Sequence, residues 1–393
     1  MTKSRTPPAT PVIKEEAKVE PKEEEIKKGT TTNEKTFSIA LLLPFNLDDI
    51  DTTKFEKNIR TAIPSKSYAA IEFYEGFQTA MDSLKNKGLN LKLYAFDAPN
   101  DSLRIVSLLE KPELKKMDLI VGPFHNMPSA LVATYAKRNH IPNVIPYAQQ
   151  NKLLLGNPYA IKVSASSGTQ IEAVADFIIK HYKKQNVLVL HNALFKERSS
   201  VQVFKENLNA DLGKDSISEV IFKTAGTKGL QAKLSATKDN IIFIPSNDQA
   251  FVTSLVNSLR TLKKDYKIIL FGMESWISFD NLDINTIQDL QLHLPSSNAI
   301  RYEDVASIEM MKKFRTKFKT DPSKYAFQGY DCGLYFVSLM DNLGKDFITH
   351  LPETKKNGLQ CNFQFIETAV ESGYENKSVF ILQYKDFSLS PEK

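Results

Sequence analysis

The hydrophobic pattern is clearest between residues 118 and 150, where two short apolar runs flank one helical segment. Residues 118–121 form a short, mostly apolar run that ends at the turn pair Gly122-Pro123, as a buried strand does. Apolar positions at helical spacing follow Pro128, and residues 141–146 form the second apolar run. This stretch predicts a β-α-β unit, whose strand ends meet at the edge of a parallel sheet where open α/β folds bind ligands.

The same alternation continues along most of the chain. Strands are predicted at 37–44, 91–96, 159–164, 186–191, 218–223, 240–244 and 266–271. Helices are predicted at 68–84, 101–110, 166–184 with Ser166 or Ser167 as the cap, 199–210 and 248–262. Because β-α repeats run on both sides of residue 160, two similar α/β lobes fit the pattern better than one oversized sheet.

The two ends of the chain differ from this pattern. Residues 1–36 are rich in Pro, Glu, Lys and Thr and carry few large apolar residues, so they predict a disordered charged linker. In the last third, residues 305–319 and 329–343 predict helices. Residues 360–365 and 379–384 predict two strands that pair with each other.

Composition narrows the functional classes. The 393 residues are 25% charged with a net charge of only +5, and lysines alternate with acids, so no nucleic-acid surface is predicted. The longest apolar run, residues 37–45, is far shorter than a membrane span. Cys332 and Cys361 lack metal-site spacing; two buried free thiols are favoured, and one disulfide is the alternative.

Catalytic motifs are missing from the sequence. It contains no G-x-S-x-G, H-E-x-x-H, Walker or G-x-G-x-x-G motif, and its six histidines are scattered without i,i+4 pairing. The 15 glycines do not form a phosphate-cradling loop. We therefore expect a protein that is not an enzyme and has no cofactor or metal, although a site assembled from distant residues would leave no such motif.

Five blocks, in this order, resemble the type I periplasmic-binding-protein family: FSIALLLPF, AAIEFYEGFQTAMDSL, LKLYAFDAPND, SSGTQIEAVADFI and FRTKFKTDPSKYAFQGYDCGLYFV. The resemblance covers about residues 37–385. It implies an α/β fold of two Rossmann-like lobes joined by three crossover segments, near 160–165, 297–302 and 345–358. Lobe I would comprise 37–160 plus 300–345, and lobe II would comprise 161–299 plus 346–393.

Two groups within this family resemble the chain most. One contains the receptors for branched-chain amino acids, which implies a non-catalytic periplasmic solute-binding or envelope-sensing protein, such as the substrate-binding component of an ABC transporter. The other contains LysM-associated proteins and the lipoprotein activators of penicillin-binding proteins. It implies the alternative, a peptidoglycan-associated interaction module with a degenerate cleft.

Both groups imply a similar location and similar partners. The location is the periplasm or the outer-membrane-associated cell envelope. Residues 1–36 contain no apolar signal-peptide core, so this location implies a signal sequence upstream of residue 1. The partner would be a small ligand (a sugar, a peptide or a peptidoglycan fragment) or an envelope protein.

The cleft residues follow from the strand-end rule together with the resemblance. All of them come after the carboxyl ends of predicted strands. From lobe I they are His125, Asn126, Tyr147 and Gln149, and from lobe II they are Phe195, Glu274 and Trp276. Glu274 lies where the resemblance places an acid for a ligand ammonium group. Each has a structural alternative: His125 as a loop hydrogen-bonder, Glu274 as a turn cap, Trp276 as a hinge-packing residue, and Tyr330-Asp331 as a helix start.

Amino-acid receptors of this family hold the ligand carboxylate with Ser or Thr hydroxyls in lobe I. The matching segments of this chain, 124–128 and 147–150, contain no Ser or Thr. Since each charge-assisted hydrogen bond contributes roughly 1.5–3 kcal/mol, we predict no tight binding of leucine, isoleucine or valine.

Overall fold

The alternation of strands and helices is present in the computed structural model, which describes residues 36–54, 62–148, 150–213 and 217–392. The linker predicted over 1–36 lies outside these residues, apart from Thr36, which begins the first strand. The long polar connection after that strand begins with two short 3₁₀ turns, and part of it also lies outside the described residues.

The first lobe is built from the first half of the described chain. Its elements are β1 Thr36–Leu43, α1 Ser65–Lys85, β2 Asn90–Asp97, α2 Ser102–Leu109, β3 Leu119–Val121, α3 Asn126–Asn139, β4 Asn143–Ile145 and β5 Ala160–Lys162. β1 is almost wholly apolar and buried, as expected for a strand covered by helices on both faces. Asp101 caps α2 by accepting hydrogen bonds from the backbone N–H groups of Leu103 and Arg104.

The second lobe repeats the plan. Its elements are α4 Ser167–Tyr182, β6 Asn186–His191, α5 Phe195–Leu212, β7 Ile217–Ile221, α6 Phe222–Gln231, β8 Asn240–Phe243, α7 Gln249–Leu262, β9 Ile268–Phe271, α8 Ile284–Asp289 and β10 His293–Ser296. Ser166 caps α4, as one of the two predicted alternatives, and Asp248 caps α7. α6, α8 and β10 were not predicted from the sequence.

The chain then returns to the first lobe and ends in the second. The remaining elements are α9 Val305–Phe318, α10 Lys324–Leu343, β11 Lys356–Asn357, β12 Asn362–Phe363, β13 Phe365–Glu367, β14 Tyr374–Asn376, β15 Phe380–Lys385 and β16 Ser388–Pro391. α10 begins five residues before the predicted start at residue 329. Tyr330-Asp331 therefore lies inside a helix and is not a helix start.

Within the described residues, each lobe has one seven-stranded sheet. The order is β13-β14-β5-β4-β3-β1-β2 in lobe I and β16-β15-β10-β9-β8-β6-β7 in lobe II. The pairs are parallel except β13–β14, β10–β15 and β15–β16. Two parallel-dominant sheets covered by helices confirm the predicted two-lobe α/β fold.

The strand pairing corrects the prediction for the last third of the chain. Residues 360–365 and 379–384 do not pair, because β13 joins the sheet of lobe I and β15 joins the sheet of lobe II. The third crossover consequently lies at 377–379, between β14 and β15, and not at 345–358. Residues 344–376 belong with lobe I, and lobe II regains only the segment from β15 onward.

The first two crossovers, which we call hinge segments, lie at 163–166 and 297–304. They are in contact with each other, since the Ala165 N–H donates to Ser297 Oγ at 3.0 Å. The second also pairs with the segment before β12: Ala299 N–H donates to the Gln360 carbonyl at 2.9 Å. A backbone-to-side-chain bond and a backbone-to-backbone bond thus hold the crossovers together.

Helices α1 and α10 pack with their backbones in close approach. A Cβ on Gly76 would lie 1.9 Å from the Ala326 carbonyl oxygen, and one on Gly329 would lie 2.1 Å from the Phe73 carbonyl oxygen. Only glycine permits this spacing. The close packing fixes α10 against lobe I, and α10 carries several side chains to the cleft.

Candidate functional site

A cleft of about 660 Å³ lies between the two lobes. Lobe I and the hinge segments contribute Tyr147, Ser164, Asn298, Tyr302, Lys324, Tyr325, Gln328 and Gln360. Lobe II contributes Ser167, Gln170, Asn247, Glu274, Ser275, Ile277, Ser296 and Leu382, among others. The volume lies in the range of small-molecule sites, and the lining is rich in hydroxyl and amide groups.

Aromatic rings build the wall on the side of lobe I. The rings of Phe124 and Tyr147 meet edge to face with centroids 4.6 Å apart. Phe73 lies behind Phe124 at 5.2 Å, and Tyr325 lies beside Tyr147 at 6.0 Å. Phe124 and Tyr147 belong to the two segments where the resemblance placed Ser and Thr hydroxyls. Burial raises the pKa of the Tyr147 phenol well above its usual value, so the phenol stays protonated.

Glu274 faces the cleft from lobe II and is held by protein donors. Its Oε1 accepts hydrogen bonds from Ser296 Oγ at 3.1 Å and from the Ser297 N–H at 3.0 Å. Its Oε2 accepts one from Gln170 Nε2 at 2.5 Å. Because each carboxylate oxygen accepts about two bonds, Oε2 has room for one further donor.

Gln328 and Gln360 lie at the base of the cleft, and we call them the amide pair. Gln360 Nε2 donates to Gln328 Oε1 at 2.9 Å. Both side chains are almost fully buried, with exposed fractions of 1% and 2%. Gln328 Nε2 and Gln360 Oε1 take no part in this bond, and they lack a hydrogen-bond partner in the described part of the chain. The Gln328 amide also acts on the Cys361 thiol, where it opposes the rise in pKa that burial causes.

Asp331 fixes the backbone that carries Gln360. Its carboxylate accepts hydrogen bonds from the N–H groups of Leu359 at 2.8 Å, Gln360 at 2.7 Å and Cys361 at 2.9 Å. Burial raises the pKa of Asp331 to about 6, although these three bonds favour the charged form. Asp331 lies one helical turn after Gln328, so one face of α10 sets both members of the amide pair.

Lys162 and Glu375 form a second buried pair, the ion pair, next to the first and third crossovers. Lys162 Nζ lies 3.2 Å from Glu375 Oε1 and donates to the Ser164 carbonyl at 2.9 Å. Glu375 also accepts from the Ser166 N–H at 2.7 Å, and its Oε2 accepts from Asn151 Nδ2 at 2.8 Å. The ion pair therefore ties the edge of lobe I to the start of α4 in lobe II.

The pKa of Glu375 reflects this setting. Burial alone would raise it, but the Lys162 ammonium and the hydrogen bonds from Ser166 and Asn151 together lower it to about 2. Burial lowers the pKa of Lys162, against the opposing effect of Glu375. The Glu375 carboxylate is thus charged at neutral pH, and several donors hold it in place.

The two cysteines are free and buried, which confirms the favoured prediction. Burial raises the pKa of both thiols well above the usual value, so neither is a thiolate near neutral pH. Cys361 Sγ donates to Asn298 Oδ1 at 2.8 Å, which adds one more contact between the segment before β12 and the second hinge segment.

Two of the predicted site residues, Tyr147 and Glu274, line the cleft. His125 and Asn126 are exposed at the start of α3, and Phe195 is 86% exposed at the start of α5; none of the three is among the lining residues. Gln149 lies outside the described residues.

The structure gives Trp276 a different role from the predicted ligand contact. Its side chain is only 2% exposed, its Nε1 donates to the Ser246 carbonyl at 2.8 Å, and its ring covers Gly272 so closely that a Cβ there would lie 2.5 Å away. Trp276 therefore supports the Glu274 turn from behind, and its ring is not a stacking platform in the cleft.

Several lining residues were not predicted from the sequence. Ser164, Ser296 and Asn298 lie at or just after the carboxyl ends of β5 and β10; the strand-end rule covers such positions, but Ser164 was not selected and β10 was not predicted. Gln328 lies on a helix, which the rule does not reach. One signal was present: Gln328 and Asp331 are polar residues on a helix face that is otherwise apolar and buried. Polar residues in such positions are rare unless they have buried partners.

No helix of the described residues combines the length and apolar character that a membrane crossing needs. A comparison with curated protein sequences gives no match.

Solved structures with the same architecture come from transport receptors. One is described as a branched-chain amino acid ABC transporter protein of Rhodospirillum rubrum, with a TM-score of 0.66, 12% identity and coverage of 91% of this chain and 100% of that chain. A periplasmic ligand-binding protein of Burkholderia xenovorans has a TM-score of 0.61 and 13% identity, with coverage of 91% of this chain and 94% of that chain. A substrate-binding protein of Desulfitobacterium hafniense in complex with Leu has a TM-score of 0.60 and 14% identity, with coverage of 91% of this chain and 100% of that chain.

Sequence identities this low do not allow a ligand to be transferred from these proteins to this chain. The structural similarity shows the fold, with the two lobes and the parallel-dominant sheets described above. The family model described as "Receptor family ligand binding region" matches residues 73–368, which is most of the described chain. The chain belongs to this family of receptor ligand-binding regions, with the type I periplasmic-binding fold that its sequence resembles.

Proposed function

We propose that this protein is a non-catalytic solute-binding or envelope-sensing protein that closes its two lobes on a small ligand, as the substrate-binding component of an ABC transporter does. The carrying observation is the cleft itself, to which both lobes and the hinge segments contribute polar side chains. A ligand that contacts both walls stabilises the closed state by its differential affinity for the two states.

The neighbouring folds support this role at the level of the family. The proteins named above are ABC transporter substrate-binding or ligand-binding proteins. The protein of Burkholderia xenovorans is described as periplasmic, and a location outside the cytoplasm is the one we propose for this chain. Two features support a role without catalysis. The acid of the cleft, Glu274, already accepts hydrogen bonds from Ser296, Ser297 and Gln170. Among the described residues that line the cleft there is no histidine.

The ligand is proposed to differ from leucine, isoleucine and valine. The aromatic rings of Phe124 and Tyr147 lie where carboxylate-binding hydroxyls were sought. Five serines outside the segments 124–128 and 147–150 line the cleft, and two of them, Ser164 and Ser167, lie at the first hinge segment and just after it. Ser164 Oγ already donates to the Pro146 carbonyl at 2.7 Å, which leaves Ser167 as the less engaged of the two.

Native mass spectrometry of the purified protein, before and after exposure to a cell extract, tests the proposed function. We expect a bound small molecule, and a radius of gyration by small-angle X-ray scattering that falls when this molecule binds. Bound ligand at one hundred times its Kd should add about 2.7 kcal/mol to the free energy of unfolding.

Three outcomes bear on the proposal. A folded protein that retains no small molecule from any extract contradicts it and favours the interaction module with a degenerate cleft. Binding without a change in the radius of gyration contradicts the closure mechanism. Calorimetric titration with leucine is the third measurement, and a micromolar or tighter Kd would overturn the proposed ligand difference.

A further inference from the structure

Three buried polar atoms on the lobe I side of the cleft lack a hydrogen-bond partner among the described residues. They are the Tyr147 hydroxyl, Gln328 Nε2 and Gln360 Oε1. A buried polar atom without a partner costs about 1–3 kcal/mol, so native proteins seldom keep one unless something else binds there. The three residues that carry these atoms all line the cleft. This clustering marks the place where a ligand can supply the missing hydrogen-bond partners.

The amide pair presents the same chemistry whichever way its amides are turned. Oxygen and nitrogen of a glutamine amide are assigned from the hydrogen-bond network. The bond between Gln328 and Gln360 uses one N–H₂ group and one carbonyl oxygen in either assignment. The pair therefore always leaves one N–H₂ donor and one carbonyl acceptor unbonded, on two residues that line the cleft.

The pair is also prevented from turning to other partners. The Gln360 backbone is held by Asp331 through its N–H and by the Ala299 N–H through its carbonyl. Gln328 lies on α10, whose position is set by the close packing of Gly329 against Phe73. A donor and an acceptor that are fixed in advance favour a ligand with the complementary acceptor and donor, because little ordering cost remains.

The geometry points to an amide group as the part of the ligand that the amide pair recognises, in the form of either a peptide bond or an acetamido group. An amide offers one C=O acceptor for the free N–H₂ and one N–H donor for the free carbonyl oxygen. It is uncharged, which suits a buried position where a charge would need its own partner. The nearby rings of Tyr147 and Tyr325 provide apolar contact for the carbon atoms that flank the amide. This inference rests on the proposed function.

Isothermal titration calorimetry with two matched pairs of probes tests it on the full chain. N-acetylglucosamine and glucose differ by an acetamido group, and alanyl-alanine and alanine differ by a peptide bond. We expect at least one amide-bearing probe to bind at least about tenfold more tightly than its partner, since two hydrogen bonds to buried groups are at stake. Which pair shows the difference identifies the source of the amide.

Substitution of the pair adds a second, independent measurement. Gln328→Met should weaken binding of the preferred amide probe by about tenfold and leave the weaker partner probe unchanged. Gln202→Met is the matched control, because Gln202 is an exposed glutamine on α5 whose side chain donates to Glu206 at 2.9 Å. Melting temperatures show whether each variant is folded.

Each contrary result overturns the inference. Equal affinities within both probe pairs do so, as does the failure of both amide probes to bind at millimolar concentration. Unchanged amide binding by folded Gln328→Met is equally decisive. If Gln328→Met does not fold, the wild-type probe pairs still decide. A ligand found by native mass spectrometry that contains no amide would end this inference while leaving the proposed function intact.

Discussion

Two buried polar pairs lie beside the hinge segments, and protein atoms satisfy them to different degrees. In the ion pair, Glu375 accepts from Lys162, Ser166 and Thr169 through one oxygen and from Asn151 through the other. In the amide pair, a single bond joins Gln328 to Gln360, and within the described residues one donor and one acceptor stay free.

The difference separates structure from recognition. A buried charge surrounded by donors holds two segments of the chain together, and removing a member leaves the rest uncompensated. A buried neutral group with free bonding capacity contributes little to folding and is available to a ligand. Measurements of stability can test this division.

Removal of Lys162 should have the largest effect. Lys162→Met leaves Glu375 as a buried charge without its cation, so we expect the free energy of unfolding to fall by about 3–5 kcal/mol. Urea titration measures it. Lys66→Met is the control: Lys66 Nζ lies 2.6 Å from Asp49 and the Lys66 side chain is 60% exposed, so its loss should cost about 1 kcal/mol or less. If both variants lose the same free energy of unfolding, the buried ion pair does not contribute more to stability than an exposed one.

Acid should act through Glu375. The folded-state pKa of about 2 lies below the ordinary value of 4.5, so the folded protein resists protonation that the unfolded chain accepts. The stability contributed by this carboxylate is present above about pH 4.5 and is lost as the pH falls toward 2. The expected loss is roughly 3 kcal/mol.

Unfolding measured between pH 5 and pH 2.5 checks this contribution. Glu375→Gln should flatten the acid limb relative to the wild type, because the titrating group is gone. An acid limb that is the same in both proteins would assign the loss to other carboxylates. Asp331 acts with the opposite sign, since its pKa of about 6 makes the folded state bind the proton more tightly.

The hydrophobic pattern predicted the β-α alternation because each buried strand is a short apolar run. β1 and β6 are examples, and both ends of β6 agree with the prediction. β10 and β14 were missed for a physical reason: their letters are HLPS and YEN, and each is fully buried. Polar side chains such as Glu375 can occupy a buried strand only where hydrogen bonds satisfy them, and those partners are distant in sequence.

The candidate site shows the same limit. The strand-end rule found Tyr147 and Glu274, since both follow strands that the pattern revealed. It also selected Phe195, which lies exposed at the surface, because the rule locates a loop and not the direction of a side chain. Gln328 and Gln360 come together because residues 344–376 stay with lobe I. From the sequence, Gln360 was assigned to lobe II, so the contact was not predicted.

The smallest effect is expected when both members of the amide pair become apolar. Gln328→Leu with Gln360→Leu removes the bond between them together with the free donor and acceptor. Replacing both partners by apolar groups of similar shape is nearly neutral or stabilising, so the free energy of unfolding should fall by no more than about 1 kcal/mol. Urea titration without ligand measures it.

The matched comparison is the double change Lys162→Met with Glu375→Leu. It also removes a polar pair, but it strips the Ser166 N–H, Thr169 Oγ1 and Asn151 Nδ2 of their acceptor. Each stranded donor costs about 1–3 kcal/mol, so this variant should be clearly the less stable of the two. If the amide double variant loses as much, the amide pair is a structural element, and its free donor and acceptor do not mark a binding position.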